Sequence, residues 1–289
     1  MEQLLLHLLT RKRLRAFIDT PSHAVQLIAP TGFGKSTVAV TLARALLNLN
    51  DKQLESYPYF RRFTPDKGNI GIETVRDITT FLKLRTTGQG KIRRVIVIES
   101  ADSMTIEAQN AILKLLEEPP ADTVIIMTVS VETHMLSTIT SRSQRILLHS
   151  PDRQATVTFF VQHGYSEERV ATAYLMSGGL VGLMHAILTS DTEHPLVQAI
   201  DQAKTILKSD TIERLAMVDE IAKEKQVDQL LFALKQTSQA ALTHAASQSG
   251  RDAAVRRWHS VLRYVHRAEK LHASSAQPKL LLTDLFLNL

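Results

Sequence analysis

Residues 25–36 read Val25-Gln26-Leu27-Ile28-Ala29-Pro30-Thr31-Gly32-Phe33-Gly34-Lys35-Ser36, and residues 37–47 continue as an apolar-rich segment of helical period. A short β-type run thus leads straight into a glycine-rich turn and then a helix. Glycines in such a turn let backbone N–H groups curl round phosphate oxygens, a lysine neutralises the β and γ oxygens, and a serine hydroxyl ligates Mg2+. Gly32, Gly34, Lys35, Ser36 and Thr37 are therefore the candidate ATP-binding residues, with Ser36 the candidate magnesium ligand. Ala29 stands where this motif has its first glycine, adding one methyl group where the backbone must bend but leaving the donors in place. The competing reading is a glycine-rich turn that holds no nucleotide. The strand-to-helix setting favours the phosphate loop over it.

Further along, Val95-Ile96-Val97-Ile98 is a continuous apolar run between Arg93-Arg94 and Glu99, as expected of a strand buried on both faces of a parallel sheet. Thr105 is a candidate N-cap with Glu107 in the first turn, and Ala108, Ala111, Ile112, Leu115 and Leu116 recur at helical spacing until Pro119-Pro120 stops them. Residues 124–129 and 145–148 read as two more strands. Strands alternating with helices imply right-handed crossovers and a mostly parallel sheet covered on both faces, an α/β P-loop domain. Beyond Pro151 no β-rich run remains, and helical periods are interrupted at Gly178-Gly179, at 191–195 and at 247–250. The expected domains are 1–150 (nucleotide-binding), 151–191 (a small helical lid) and 192–289 (a larger helical bundle).

With 289 residues, 44% hydrophobic and 22% charged, the chain has the composition of a globular protein of more than one domain, which excludes disorder as its default state. It contains no cysteine, so disulfides, thiolate zinc sites and a cysteine nucleophile are excluded together. That suits a reducing cytoplasm. No apolar run is long enough for a membrane span, and the N-terminal residues 1–15 place their charges after a short apolar run, the reverse of a secretory signal. A cytoplasmic protein without membrane partners is the expectation. The net charge of +5 modestly favours a polyanionic neighbour.

The strand at 95–98 ends Glu99-Ser100-Ala101-Asp102. Parallel-sheet ATPases usually end this strand with Asp-Glu, the first residue serving the metal and the second polarising the attacking water. Glu99 can serve the metal from a longer side chain, whereas Ser100 cannot act as a base at neutral pH. Asp102 reads as a helix-capping or surface carboxylate rather than a substitute base. Thr128 and Ser130 are candidates for a hydroxyl that senses the γ-phosphate, or are simple strand-end hydroxyls.

The segment from Ile98 to Pro120, Ile-Glu-Ser-Ala-Asp-Ser-Met-Thr-Ile-Glu-Ala-Gln-Asn-Ala-Ile-Leu-Lys-Leu-Leu-Glu-Glu-Pro-Pro, resembles the most recognisable stretch of the AAA+ modules of the bacterial DNA polymerase III clamp-loader family. Thr138-Ile139-Thr140-Ser141-Arg142-Ser143-Gln144-Arg145 is similar to the family's Ser-Arg-Cys element, with Ser143 in the cysteine's place. Ser22-His23-Ala24, Gly71-Ile72-Glu73-Thr74-Val75-Arg76 and the C-terminal residues 267–289 also match its pattern, so the resemblance covers essentially the whole chain. It implies that the helical bundle is an oligomerisation collar. It also implies that Arg142 is an arginine finger, a guanidinium that reaches a neighbouring subunit's nucleotide in trans. The alternative for Arg142 is an ordinary surface loop arginine.

Three departures point to the delta-prime-like, stationary branch of this family. The cysteine zinc module that motors and most delta-prime relatives carry after the first helix is missing, so no zinc is expected. The strand-end pair reads Glu99-Ser100. In Ser177-Gly178-Gly179-Leu180-Val181-Gly182-Leu183, Gly182 stands where a motor has a phosphate-sensing arginine. The resemblance thus implies a subunit that closes a clamp-loader ring with gamma/tau-like motor subunits and a delta-like subunit, and that reaches a sliding clamp and primer-template DNA through the assembly. Its own ATP and Mg2+ binding is expected to be weak or vestigial and its hydrolysis negligible. The alternative, a free-standing AAA+ motor on DNA such as a branch-migration helicase, wants an intact Asp-Glu pair and a sensor arginine. A P-loop kinase would want a substrate lid where this chain has a helical bundle.

Several basic residues stay with plainer readings. Arg61, Arg62, Arg76, Arg93 and Arg94 are candidate DNA-phosphate contacts, but each reads better as solvated surface. Residues 251–272 hold six basic and two acidic residues with apolar ones at helical spacing, as expected of a collar helix with a solvated basic face, and Trp258 reads as core or subunit interface.

Overall fold

The computed structural model describes residues 4–66, 68–87, 89–223, 227–248, 251–274 and 276–289. Two compact units divide the chain, Met1–Asp152 and Arg153–Leu289.

In the first unit, α1 (Leu8–Asp19) leads to β1 (Ala24–Ile28), α2 (Lys35–Leu47), the short α3 (Asp51–Glu55), β2 (Phe60–Phe63) and α4 (Ile72–Leu82). Then come β3 (Arg94–Ile98), α5 (Ile106–Glu117), β4 (Thr123–Val129), the single-turn α6 (Ser137–Thr140) and β5 (Gln144–Leu147). The strands form one parallel sheet in the order β2-β3-β4-β1-β5. β1, β3 and β4 are buried along their whole lengths, which is why their Val- and Ile-rich runs are continuous rather than alternating. The edge strands β2 and β5 are four residues each, and half or more of each strand is exposed or only partly buried.

Local signals set most element ends where the sequence puts them. Thr105 accepts from the Ala108 N–H at 3.2 Å and caps α5, whose Ala108, Ile112 and Leu116 fill the core beside Ile96, Ile98, Ile125 and Met127. Two features differ from expectation. β2 was not legible, because Arg61 and Arg62 interrupt its apolar residues; it is recruited by pairing with β3, Phe60 to Val95 through Phe63 to Ile98. Arg94 lies inside β3 rather than flanking it on a solvated surface, and it is 1% exposed. Its guanidinium donates to the carbonyls of Leu82, at 2.6 Å, and Leu84, closing the C-terminal end of α4.

The second unit is all helical: α7 (Arg153–Gln162), α8 (Glu167–Ser177), α9 (Val181–Thr189), α10 (Pro195–Lys208), α11 (Thr211–Lys223), α12 (Val227–Ala246), α13 (Asp252–Ala273) and α14 (Pro278–Leu287). α12 packs against α8, α10 and α13, so segments 153–191 and 192–289 share one compact unit. α8 ends on Gly178 at φ +62°, a left-handed backbone that favours glycine, with the amide end of Gln236 of α12 packed against it. Of the interruption expected at 247–250, Ser249 and Gly250 lie outside the described residues. α13 buries Val261, Leu262, Val265 and Ala268 and leaves Arg256, Arg257, Arg263, Arg267 and Lys270 exposed, while Trp258 is half-buried. Among the described residues no helix is long and apolar enough to cross a membrane.

Candidate functional site

β1 lies between β4 and β5, so the loop leaving its C-terminal end emerges within the sheet, where open parallel sheets bind their ligands. That loop is residues 29–34. Gly32 (φ +83°) and Gly34 (φ +95°) take the left-handed backbone that closes it, and Gly34 is the N-cap of α2. The helix begins at Lys35, so Ser36 and the exposed Thr37 lie in its first turn with the free N–H groups of the helix N-terminus. Ala29 is buried at the strand exit and donates its N–H to Val129 at 3.1 Å. The methyl group in place of a glycine is thus accommodated without opening the turn.

Lys35 is 8% exposed. Its ammonium donates to the carbonyls of Ala29 at 2.8 Å and Pro30 at 3.0 Å and to Ser130 Oγ at 2.9 Å. Burial lowers its pKa to about 8, partly offset by the charge of Asp102. Phosphate recognition there needs the ammonium form. Affinity for a triphosphate should therefore fall as pH rises from 7 through about 8 to 9, and Lys35→Arg should remove the fall. Calorimetric titration at the two pH values checks this, and a flat profile for the natural chain would exclude Lys35 as the phosphate-binding cation.

At the end of β3, Glu99 is 12% exposed at its side chain. One carboxylate oxygen accepts from Ser36 Oγ, and the other accepts from Arg62 of β2, through Nε at 2.8 Å and through Nη2. Ser36 and Glu99, the two expected magnesium-facing residues, are thus brought together. The third member of the cluster, Arg62, is exposed as expected, but its pairing with Glu99 is not announced by the sequence because β2 itself is not legible. Ser100 follows at φ +50°, its N–H bonded to Thr128 Oγ1 at 2.8 Å. Thr128 is buried and holds this strained turn, whereas Ser130, one residue past β4, is the hydroxyl that meets Lys35 and Thr31. Asp102 is half-buried and accepts from the Val131 N–H at 3.0 Å; its other oxygen is buried with no hydrogen-bond partner among the described residues.

Arg142 follows α6. Its guanidinium donates to the Thr138 carbonyl at 3.1 Å and pairs with Glu117, at the end of α5, at 2.9 Å, with the side chain 38% exposed. The next residue, Ser143, donates to Ile139 O at 2.9 Å and accepts from Gln26 Nε2 of β1 at 2.7 Å. The turn bearing Arg142 is therefore bolted to the strand that delivers the glycine-rich loop. Of the other arginines, Arg93 pairs with Asp122 and Arg76 with Glu73.

Residues 11–152 match the family model described as DNA polymerase III, delta subunit. Among curated proteins, DNA polymerase III subunit delta' of Escherichia coli (strain K12) is 27% identical over 58% of this chain and 55% of its own length. The subunit of the same name from Pseudomonas aeruginosa is 27% identical over 65% and 62%, and that from Bacillus subtilis (strain 168) 30% identical over 44% and 42%. The chain thus spans little more than half the length of most of these relatives. A solved DNA polymerase III gamma subunit-related protein from Thermotoga maritima aligns over 96% of this chain and 97% of its own at 17% identity and a TM-score of 0.48.

Proposed function

We propose, on the premise that this chain is a relative of the bacterial DNA polymerase III delta-prime clamp-loader subunits, that it is a largely stationary AAA+ member of a clamp-loader ring and lends Arg142 to a neighbouring ATPase. The observation that carries this reading is an asymmetry within one unit. Its own hydrolytic position is Ser100, whose backbone is pinned by Thr128, while a guanidinium beyond the next strand, β4, stays partly exposed on a braced turn. A site without a base gains nothing from a finger in cis, so the finger's target is another subunit's γ-phosphate.

On this reading the segment at 153–191 acts as the lid and residues 192–289 as the collar, in a cytoplasmic assembly with gamma/tau-like motors and a delta-like subunit that loads a sliding clamp at primer-template DNA. Gly182, in the first turn of α9, offers no charge to sense a phosphate. The nucleotide loop of this chain takes ATP weakly or as a vestige.

The test is reconstitution. The purified chain alone should turn over ATP at background, with or without DNA. Adding it to motor and delta-like subunits should switch on clamp- and DNA-stimulated ATPase. DNA-stimulated turnover by the isolated chain would replace this reading with that of a free-standing motor.

A further inference from the structure

The cluster at the end of β3 has a charge arrangement that differs from a magnesium site. A divalent ion there needs the serine hydroxyl oxygen and the strand-end carboxylate turned toward it. In this chain both carboxylate oxygens of Glu99 are engaged by protein donors: Ser36 on one, and the Nε and Nη2 fork of Arg62 on the other. The guanidinium is a cation whose Nε and Nη2 both donate to the one carboxylate oxygen. Mg2+ demands near-octahedral oxygen coordination at roughly 2.0–2.1 Å and gives up water reluctantly, so it does not readily share a carboxylate that a fixed cation already holds. Lys35 lies across the same loop as a second cation. Formally Lys35 and Arg62 balance Glu99 and Asp102 with no metal counted. Magnesium therefore does not fit the residues as arranged, although Ser36 and Glu99 are the right types.

We propose that Arg62 stands in the place of the divalent cation, so that the loop 29–36 takes a nucleoside triphosphate without requiring Mg2+. The anchoring of Arg62 is suited to this. It projects from an edge strand whose register with β3 sets Arg62 opposite Val97, two residues before Glu99, and its side chain is 48% exposed, so it reaches the carboxylate from the solvent side of the sheet edge. The polyanion then finds the helix N-terminus, Lys35 and a guanidinium, a set of donors that carries charge neutralisation but no metal-activated water. The inference rests on the loop being a nucleotide site at all.

The full chain is titrated calorimetrically with ATP in excess Mg2+ and again in excess EDTA, beside Arg62→Ala and Arg62→Lys, with melting curves to verify folding. The natural chain should bind equally within about threefold in the two conditions, and Arg62→Ala should bind at least about tenfold more tightly with Mg2+ than with EDTA, a difference of about 1.4 kcal/mol. Arg62→Lys, which keeps the charge but loses the fork, should fall between. Binding by the natural chain that weakens tenfold or more in EDTA, or an Arg62→Ala chain still indifferent to the metal, overturns the proposal while leaving the nucleotide site standing. Absence of binding at millimolar ATP in both conditions overturns the nucleotide site, and this proposal with it.

Discussion

Replacing Arg142 with alanine is expected to lower the clamp- and DNA-stimulated ATPase of a reconstituted loader by about 10^3-fold at the site it serves, the lower end of what arginine fingers supply. In a ring with other intact sites the summed rate falls less, so single-turnover hydrolysis is the cleaner measurement. Assembly should not change. Arg142's contacts within the chain are the Thr138 carbonyl, a long 3.5 Å hydrogen bond to Ser141 Oγ and a half-exposed pair with Glu117, and exposed pairs contribute about 0–1 kcal/mol. Ser143, not Arg142, ties the turn to β1. Arg142→Lys should rescue poorly, because an ammonium lacks the planar fork that spans two phosphate oxygens. Equal hydrolysis and clamp-loading rates at matched assembly would reduce Arg142 to a surface residue and this chain to a scaffold.

The largest loss of stability is expected from Arg94→Ala. The substitution empties a fully buried side-chain volume in β3 and leaves the carbonyls of Leu82 and Leu84 without their donor. Leu84 is exposed, so water can replace its donor, but the buried Leu82 carbonyl left unpaired costs about 1–3 kcal/mol and the emptied volume adds to that, so a loss of about 3 kcal/mol and a melting temperature lowered by roughly 10 °C follow for the α/β unit. Arg94→Met, which restores the packed stem but not the donors, should recover part of it. The chemical-denaturation midpoints of the three chains decide the matter; a change below about 0.5 kcal/mol for Arg94→Ala, the usual range for surface positions, would mean that the guanidinium contributes nothing net.

Arg94 also shows where sequence reading reaches its limit. Its neighbours Val95 to Ile98 were unambiguous because a strand buried on both faces has no polar alternation to confuse, and the glycine loop was legible because only residues at ease with positive φ fit Gly32 and Gly34. An arginine at the edge of an apolar run looks like a solvated flank unless the carbonyls that receive it are known, and those lie 10 and 12 residues earlier in chain order. The same applies to Arg62. Its partner Glu99 is 37 residues away, and the two meet only because β2 adds to β3, a pairing that four residues with two central arginines do not announce. Thr128 illustrates a third case: a strand hydroxyl can face phosphate or backbone, and only the turn at Ser100 decides that it faces backbone.

The two margins of the sheet have a consequence for how the chain behaves while it is being made. A parallel sheet forms slowly, and an exposed strand margin offers unpaired amide and carbonyl groups to any neighbouring chain. Here the fully buried strands β3, β4 and β1 occupy the middle, and each margin is four residues long and carries charged side chains: Arg61 and the Glu99-paired Arg62 on β2, the Glu132-paired Arg145 on β5. Charged side chains along such margins resist the burial that pairing with another chain would bring, and so short a ladder returns few hydrogen bonds to offset that. Self-templated fibrils are thereby disfavoured, and replacing Arg61 with an apolar residue should raise the tendency of the chain to aggregate during refolding at concentrations the natural chain tolerates.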